Sequence, residues 1–503
     1  MSDTNSMVAN HSGATPPEIA APSEEGATRL WDYGYWCCIA AAGLLALAVL
    51  IMPEISDSTV GILTIVLSVL LLIAGVHVGI AILAAGALGL WKLAGTNAVA
   101  VTFEDIPFST SASWSLSVIP LFILMGIVMG NFNLTGKLFS AAQIWLGRMP
   151  GGLAVATNFT GAGLAASSGS SIAISYALGR TTIPEMIRAG YKPSLATGVV
   201  TMAGTLGMLI PPSVVLVIYA GVAETAVGPQ LLAALVPGLI TALAYGVLIV
   251  LRCTLDPSLA PRSTQRYSWP ERIRALWDMV PVTLILVLII GGMFTGIFTA
   301  TEAGAVGAIA AIVLGAIFGP DKSAKFFFRT LLSSLRDTAA GVAAIFLLLI
   351  GVHVLTRVVA LSGIANKLTS AIVDMGVSRV VFLLLLIIVF LLLGMFMDGL
   401  AMILLTVPIL IPVLTVLDID MIWFGVFMVI LVELALVTPP IGMLTYIVHR
   451  LAQREEVNLG VPISLSDVFK GVAWFVAVSG GILVLLIFFP DIALWLPGNS
   501  AAS

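Results

Sequence analysis

Apolar residues run through this chain in long blocks. They lie near 34–53, 59–95, 116–131, 151–178, 196–227, 230–251, 279–319, 339–361, 380–416, 422–447 and 472–496. A helix that spans a bilayer needs about 20 such residues. Several blocks are too long for one helix and must fold back. The block 279–319 reads as two helices turning near Thr299–Glu302. At about 20 residues per span, the pattern predicts roughly 11–13 spanning elements plus re-entrant pieces.

Composition makes lipid the solvent of these blocks. Hydrophobic residues make up 59 % of the chain and charged residues 10 %, with a mean hydropathy of +1.12. Soluble domains carry about 25 % charged residues, and a chain with this deficit cannot cover a water-exposed surface. The net charge of −4 points to no nucleic-acid partner. Cys37, Cys38 and Cys253 are the only cysteines and four histidines are scattered, so neither a disulfide framework nor a tetrahedral metal site is visible. Residues 1–30 are rich in Ala, Ser, Pro and Glu, with Arg29 the sole base. They lack the basic start and adjoining apolar run of a signal peptide and read as a disordered tail.

Basic residues set the orientation, because cytoplasmic loops carry the Lys/Arg excess. The 252–277 loop holds Arg252, Arg262, Arg266, Arg272 and Arg274; the 321–338 loop holds Lys322, Lys325, Arg329 and Arg336. Two helices over 279–319 return the chain to the same side, so both loops read as cytoplasmic. The loops 180–192 and 449–470 are also basic, and the pattern alone leaves their side open.

The chain contains a self-similar pair of interruptions. Residues 161–173 (GAGLAASSGSSIA) precede 204–213 (GTLGMLIPPS), and residues 394–406 (GMFMDGLAMILLT) precede 433–442 (ELALVTPPIG). Aligning Pro211–Pro212 with Pro439–Pro440 roughly aligns the two glycine-marked stretches. Proline removes a donor and frees a carbonyl. In lipid, freed carbonyls are tolerated only where protein or a cavity satisfies them. Matched broken segments in two halves are the sequence sign of a transporter's midplane site, with helix N-termini offered to anions and unwound carbonyls to Na⁺.

Individual residues support two readings each. Ser167, Ser168, Ser170 and Ser171 around Gly169 fit the tip of a re-entrant hairpin whose oxygens hold Na⁺, or fit small-residue helix packing. Asp398, in the matching stretch, is an ion site by the cost of intramembrane acids or a helix cap. Glu433 is a proton or ion site, or a hydrogen-bond partner within the broken helix. Glu302 reads first as a cap. Arg357 binds a substrate carboxylate through its planar fork or snorkels to a headgroup. His77 and His353 read as satisfied core residues. No GxxxxGK[ST] phosphate loop, HExxH pair or nucleophile–base pair occurs. The chain therefore reads as no enzyme, and the energy for transport must come from an ion gradient or a partner.

These motifs resemble the large membrane subunit of tripartite ATP-independent periplasmic (TRAP) transporters over about residues 58–496. Five stretches carry the likeness: 120–126 (PLFILMG) with 146–156 (LGRMPGGLAVA); 168–173 (SGSSIA) with 183–191 (IPEMIRAGY); 204–213; 301–308 (TEAGAVGA); and 394–413 with 438–442. The resemblance implies an all-α polytopic membrane protein of two inverted repeats, each with a re-entrant hairpin and a Pro-Pro-broken helix. The first repeat would cover 58–251, with its hairpin at about 151–178 and broken helix at about 196–227. The second would cover 279–496, with its hairpin at about 394–416 and broken helix at about 422–447. A cytoplasmic loop at 252–278 would join them, preceded by an extra helix within 31–57 and followed by a tail at 497–503.

The implied function is Na⁺-coupled import of an organic acid, a carboxylate or a sialic-acid-like acid, across a bacterial inner membrane by an elevator movement. A periplasmic binding protein would deliver the substrate and a small Q subunit would complete the membrane part, with no cofactor beyond Na⁺. Carried onto this chain, Na⁺ ligands would come from Ser168, Ser170, Ser171, Gly207 and Pro211, and from Asp398, Thr406, Thr438 and Gly442. Ser167, Gly169, Ser213 and Arg357 are the substrate-contact candidates; Glu302 and Glu433 are structural or ion-coupling candidates. The family often has Pro where this chain has Ala300, and Gly where it has Ala435. The alternatives are a stand-alone anion carrier and, from a different class, a channel or scaffold.

Overall fold

The computed structural model describes residues 55–500 except 263, 264 and 266, together with parts of 36–52; the side chains of 166–168 are not described. The tail 1–30 lies outside these residues. Every regular element among the described residues is helical. Among the described residues, seven helices are long and apolar enough to cross a membrane, or eight if one bent pair counts as a span. The sequence pattern predicted more spans. Length of an apolar run does not report direction, and several runs fold as helices too short to cross alone, including Asp57–Ile73, Arg379–Leu393 and Met421–Val437.

The chain opens with α1 (Asp57–Ile73) and α2 (Val78–Ser111), which split the 59–95 run at 74–77. Gly95, at φ 79° and ψ −179°, breaks α2 internally, a conformation that only glycine adopts readily. Of the N-terminal extra helix, Ala42 with Leu45 and Ala46 packs on Leu67, Leu70 and Ala85 of α1 and α2. Then come α3 (Val118–Asn131) and α4 (Leu138–Leu146).

A helical pair follows, α5 (Gly152–Ser168) and α6 (Ser171–Arg188), turning at Gly169. It leads to α7 (Pro193–Leu209) and α8 (Val214–Val222), bent by 45° across Pro211–Pro212. The long α9 (Val227–Leu255), α10 (Trp269–Phe294), α11 (Ala300–Phe318) and α12 (Ala324–Ser362) come next, then α13 (Ile364–Asp374). The same order then recurs. A helical pair, α14 (Arg379–Leu393) and α15 (Gly399–Val416), precedes α16 (Met421–Val437) and α17 (Met443–Ala452), separated at Pro439–Pro440. The short α18 (Glu455–Asn458), α19 (Leu465–Phe488) and α20 (Asp491–Gly498) complete the chain.

The turn of the second pair lies at 394–398, in the middle of an apolar stretch, so that pair begins some fifteen residues before 394. The run 380–393 carries no breaker that marks its separate role. Both X–Pro bonds, Pro211–Pro212 and Pro439–Pro440, are cis.

Glycines set how closely the pairs approach the broken helices. In lipid, helix association rests on van der Waals packing, and small residues let backbones meet. A Cβ on Gly161 of α5 would lie 2.5 Å from the Ala203 carbonyl oxygen of α7. A Cβ on Gly394 would lie 2.5 Å from the Ala435 Cβ of α16. Ala435, where the TRAP pattern often has Gly, is thus accommodated by a glycine opposite it.

Tertiary contacts also bring the basic loops together. Lys192 N–H donates to the Leu259 carbonyl (2.9 Å) and its ammonium to Ser258 Oγ (2.7 Å). Arg180 pairs with Glu456 at 3.7 Å. The basic segments 180–192, 252–262 and 449–470 therefore share one face.

Candidate functional site

The first helical pair turns on two residues with complementary backbones. Gly169 takes the left-handed conformation (φ 57°) and ends α5. Ser170 is extended and caps α6, its hydroxyl accepting from Ala173 N–H at 3.4 Å. Ser171 follows, 3 % exposed, and its hydroxyl has no partner among the described residues. Ser175, one turn on, is likewise buried without a partner. The side chains of Ser167 and Ser168 lie outside the described residues.

The Pro-Pro break beside this turn is stitched by one hydroxyl. Ser213 Oγ donates to the Met208 carbonyl (2.5 Å) across the break and accepts from Leu216 N–H (3.4 Å). It satisfies a freed carbonyl and caps α8 at once. The second break uses threonines. Thr438 Oγ1 donates to the Leu434 carbonyl (2.6 Å), and Thr445 Oγ1 reaches back over the break to the Val437 carbonyl (3.2 Å). Gly442, at φ 58°, opens α17.

The turn and the first break come together. A Cβ on Gly169 would sit 3.3 Å from the Val214 nitrogen, the first residue of α8. A Cβ on Gly207 would lie 3.5 Å from the Ser170 carbonyl. Beside them lies a mostly apolar cavity of about 380 Å³, walled by Gly169, Ser170, Pro212 and Val214, by Leu400 of α15, and by Met125 of α3 and Ile345 of α12. The N-termini of α6 and α8 converge on it, and each carries a partial positive charge.

Other candidates lie in different surroundings. Asp398 caps α15, accepting from Ala401 N–H at 2.7 Å, two residues before Leu400 of the cavity wall. Gly399 beside it wedges between Val432 of α16 and Met208 of α7. Thr406 Oγ1 bonds the Met402 carbonyl at 2.7 Å in its own helix. Glu302 and Thr299 form a reciprocal capping box at 2.8–3.3 Å. Arg357 is exposed, and Nη1 donates to Thr102 Oγ1 (3.0 Å) of α2. Thr406, Thr438, Gly442, Glu302 and Arg357 do not line the cavity.

Glu433 is 4 % exposed. Its Oε1 is buried with no hydrogen-bond partner among the described residues. Sequence reasoning missed further ties between the halves. Tyr219 donates to the Met421 carbonyl (2.7 Å) and Gln230 to that of Ile422 (3.1 Å), joining α8 and α9 to the start of α16. Tyr245 meets Ser479 at 2.5 Å. A lone Gln or Tyr inside an apolar run was the available signal.

The chain matches the family model described as "Tripartite ATP-independent periplasmic transporter, DctM component" over residues 65–492. It is 34 % identical over 392 residues to a C4-dicarboxylate TRAP transporter large permease protein of Pseudomonas aeruginosa, covering 78 % of this chain and 88 % of that one. A sialic acid TRAP transporter large permease protein of Vibrio cholerae is 31 % identical, over 76 % of this chain and 86 % of the relative. Among solved structures, the YdaH transporter of Alcanivorax borkumensis superposes with a TM-score of 0.60 at 15 % identity, over 88 % of this chain and 100 % of that one, which is a likeness of fold alone. With 428 of its residues inside the family model and a third of its aligned positions shared with such a permease, this multi-pass membrane chain belongs to the DctM-component family of TRAP transporters.

Proposed function

We propose that the chain is the permease subunit of a three-part importer in a bacterial inner membrane. It takes an organic acid, a carboxylate or sialic-acid-like anion, from a periplasmic binding protein and works with a small Q subunit. Na⁺ moves with the substrate. One observation carries this reading: Gly169 and Ser170 of the turn and Pro212 and Val214 at the break wall the same cavity, with two helix N-termini converging there. Backbone N–H groups at helix starts suit a carboxylate. The relatives named for C4-dicarboxylate and sialic acid support an acid as cargo.

Na⁺ is held by hydroxyl and carbonyl oxygens around Ser168, Ser170, Ser171, Gly207 and Pro211. The matching oxygens around Asp398, Thr406, Thr438 and Gly442 are the corresponding Na⁺ candidates of the second half. Ser167, Gly169 and Ser213 face the substrate. The recurrence of pair and broken helix supports two inverted repeats, 58–251 and 279–496. Both pairs and both broken helices travel together as the moving unit of an elevator.

The test is uptake of labelled C4-dicarboxylates and sialic acid into proteoliposomes, with the binding protein and the small subunit present or omitted, and with or without a Na⁺ gradient. Uptake that needs all three proteins and the gradient is the expected result. Full uptake by this chain alone would make it a stand-alone carrier, and uptake indifferent to Na⁺ would remove the coupling ion.

A further inference from the structure

The length of α4, the middle of α5 and the first turns of α10 enclose an apolar groove of about 340 Å³, walled by Leu138, Trp145, Phe159, Thr160, Leu276 and Met279. In a soluble protein it would face water. Here its surroundings are lipid, and an acyl chain is the natural filler of an apolar groove in a membrane face.

The mouth of the groove carries a cation with nothing to neutralise it. Arg272 lies one turn before Leu276, with its guanidinium 5.8 Å from the Trp145 ring and 5.4 Å from the Trp269 ring. The Trp145 indole N–H donates to the Arg272 carbonyl at 3.2 Å, fixing the ring against the backbone. Arg272 Nε is buried without a hydrogen-bond partner, and no ion pair among the described residues includes Arg272. Lys137, nearby, is already paired with Asp278 at 2.8 Å. On α10 the apolar side chains Trp269, Ile273, Leu276 and Trp277 are all exposed, at helical spacing. Tryptophan on such a face marks the headgroup level of a bilayer. The same segment follows the arginine-rich loop that reads as cytoplasmic, and the cytoplasmic leaflet is the anionic one.

We propose that this groove binds an anionic phospholipid of the cytoplasmic leaflet, with one acyl chain along Trp145, Phe159 and Leu276 and the phosphate on Arg272. Arginine suits phosphate because its planar fork offers paired donors. Since α4 runs directly into the first helical pair, the lipid would also steady the base of that pair. The inference rests on the membrane setting and not on the transport reading.

The test is native mass spectrometry of the chain released from micelles carrying equal phosphatidylglycerol and phosphatidylcholine. The wild type should retain phosphatidylglycerol preferentially. Arg272→Gln should lose that retention about fivefold, the loss that matches removal of ~1 kcal/mol per basic residue at a membrane surface. Lys325→Gln, a basic residue elsewhere on the same side, should change nothing. Equal retention of the two lipids, unchanged retention in Arg272→Gln, or an equal loss in Lys325→Gln would overturn the site. Displacement of the lipid by the small membrane subunit would assign the groove to that protein and equally overturn it.

A second measurement covers the case of an Arg272→Gln chain that does not fold. In nanodiscs, brominated phosphatidylglycerol should quench the emission that the wild type has and Trp145→Phe lacks, more than brominated phosphatidylcholine does. No difference between the two lipids would again refute the proposal.

Discussion

Gly161→Ala is the sharpest probe of how the first helical pair seats on the broken helix. A Cβ at this position would lie 2.5 Å from the Ala203 carbonyl oxygen, 2.8 Å from the Ala203 Cβ and 3.0 Å from the Ala203 carbonyl carbon. Two of these atoms are backbone, so no rotamer change relieves the overlap. The helices α5 and α7 must part by close to an ångström. Overpacking of this kind costs about 1–3 kcal/mol. Replacing a mid-helix glycine by alanine also gains up to about 1 kcal/mol of helix propensity, which would hide part of the cost. Gly481→Ala on α19 supplies the correction, because a Cβ there has nothing within 4 Å. Both variants share the propensity gain, so the difference between them isolates the overpacking. Unfolding free energies of the two variants in mixed detergent–denaturant micelles should differ by about 1–3 kcal/mol, with Gly161→Ala the weaker. A difference under about 0.5 kcal/mol, the range of an ordinary surface substitution, would show that α5 does not seat on α7 at this glycine.

Further outcomes follow from single hydrogen bonds. Ser213→Ala removes a cap worth about 1 kcal/mol and strands the Met208 carbonyl at about 1–3 kcal/mol; unfolding should show this loss, and Ser213→Thr should restore most of it. Thr299→Ala should cost about 1 kcal/mol, and Glu302→Ala should leave the Na⁺ dependence of uptake unchanged, because its carboxylate serves the capping box; a shifted Na⁺ curve would make Glu302 an ion site. Arg357→Gln should leave the KM for substrate unchanged, since the guanidinium is held by Thr102 outside the cavity; a raised KM would place it on the substrate path. Ser258 hydrogen bonds hold Asp256 below the ordinary aspartate value of 3.8. A depressed folded value contributes stability above the unfolded value, and that contribution disappears as pH falls through the folded one. Protease cleavage of the 252–268 segment on acidification should therefore begin at higher pH in Ser258→Ala than in the wild type.

Much of the architecture was legible because proline and glycine interrupt lipid-facing helices at a physical cost. Pro211–Pro212 and Pro439–Pro440 mark both breaks, and GSS marks the first turn where Gly169 takes φ 57°. The second turn was harder. The run 380–393 has no breaker, so its separate helix α14 was invisible, and only Gly394 and Asp398 signalled the bend. The kink at Gly95 was missed for a related reason, since one glycine among apolar residues does not reveal its φ. Fewer described helices reach spanning length than the pattern predicted, because hydropathy measures how apolar a run is and not where the chain turns.

For the candidate site, residue type selects candidates, and the fold shows what each one hydrogen-bonds. Asp398 and Glu302 both act as caps, and Thr406 and Thr438 bond carbonyls of their own helices. Ser171 is left buried with a free hydroxyl, which no spacing rule foretells. Glu433 is likewise buried with Oε1 unpartnered among the described residues, which its place in an apolar run does not reveal.

The central claim is that Na⁺ binds at the turn beside the first break. The most direct measurement is the Na⁺ activation curve of uptake in proteoliposomes containing all three proteins, for the wild type and for Ser170→Ala with Ser171→Ala. The double variant should assemble normally yet need more Na⁺ for half-maximal uptake. An unchanged curve would make the serines packing residues and contradict that claim.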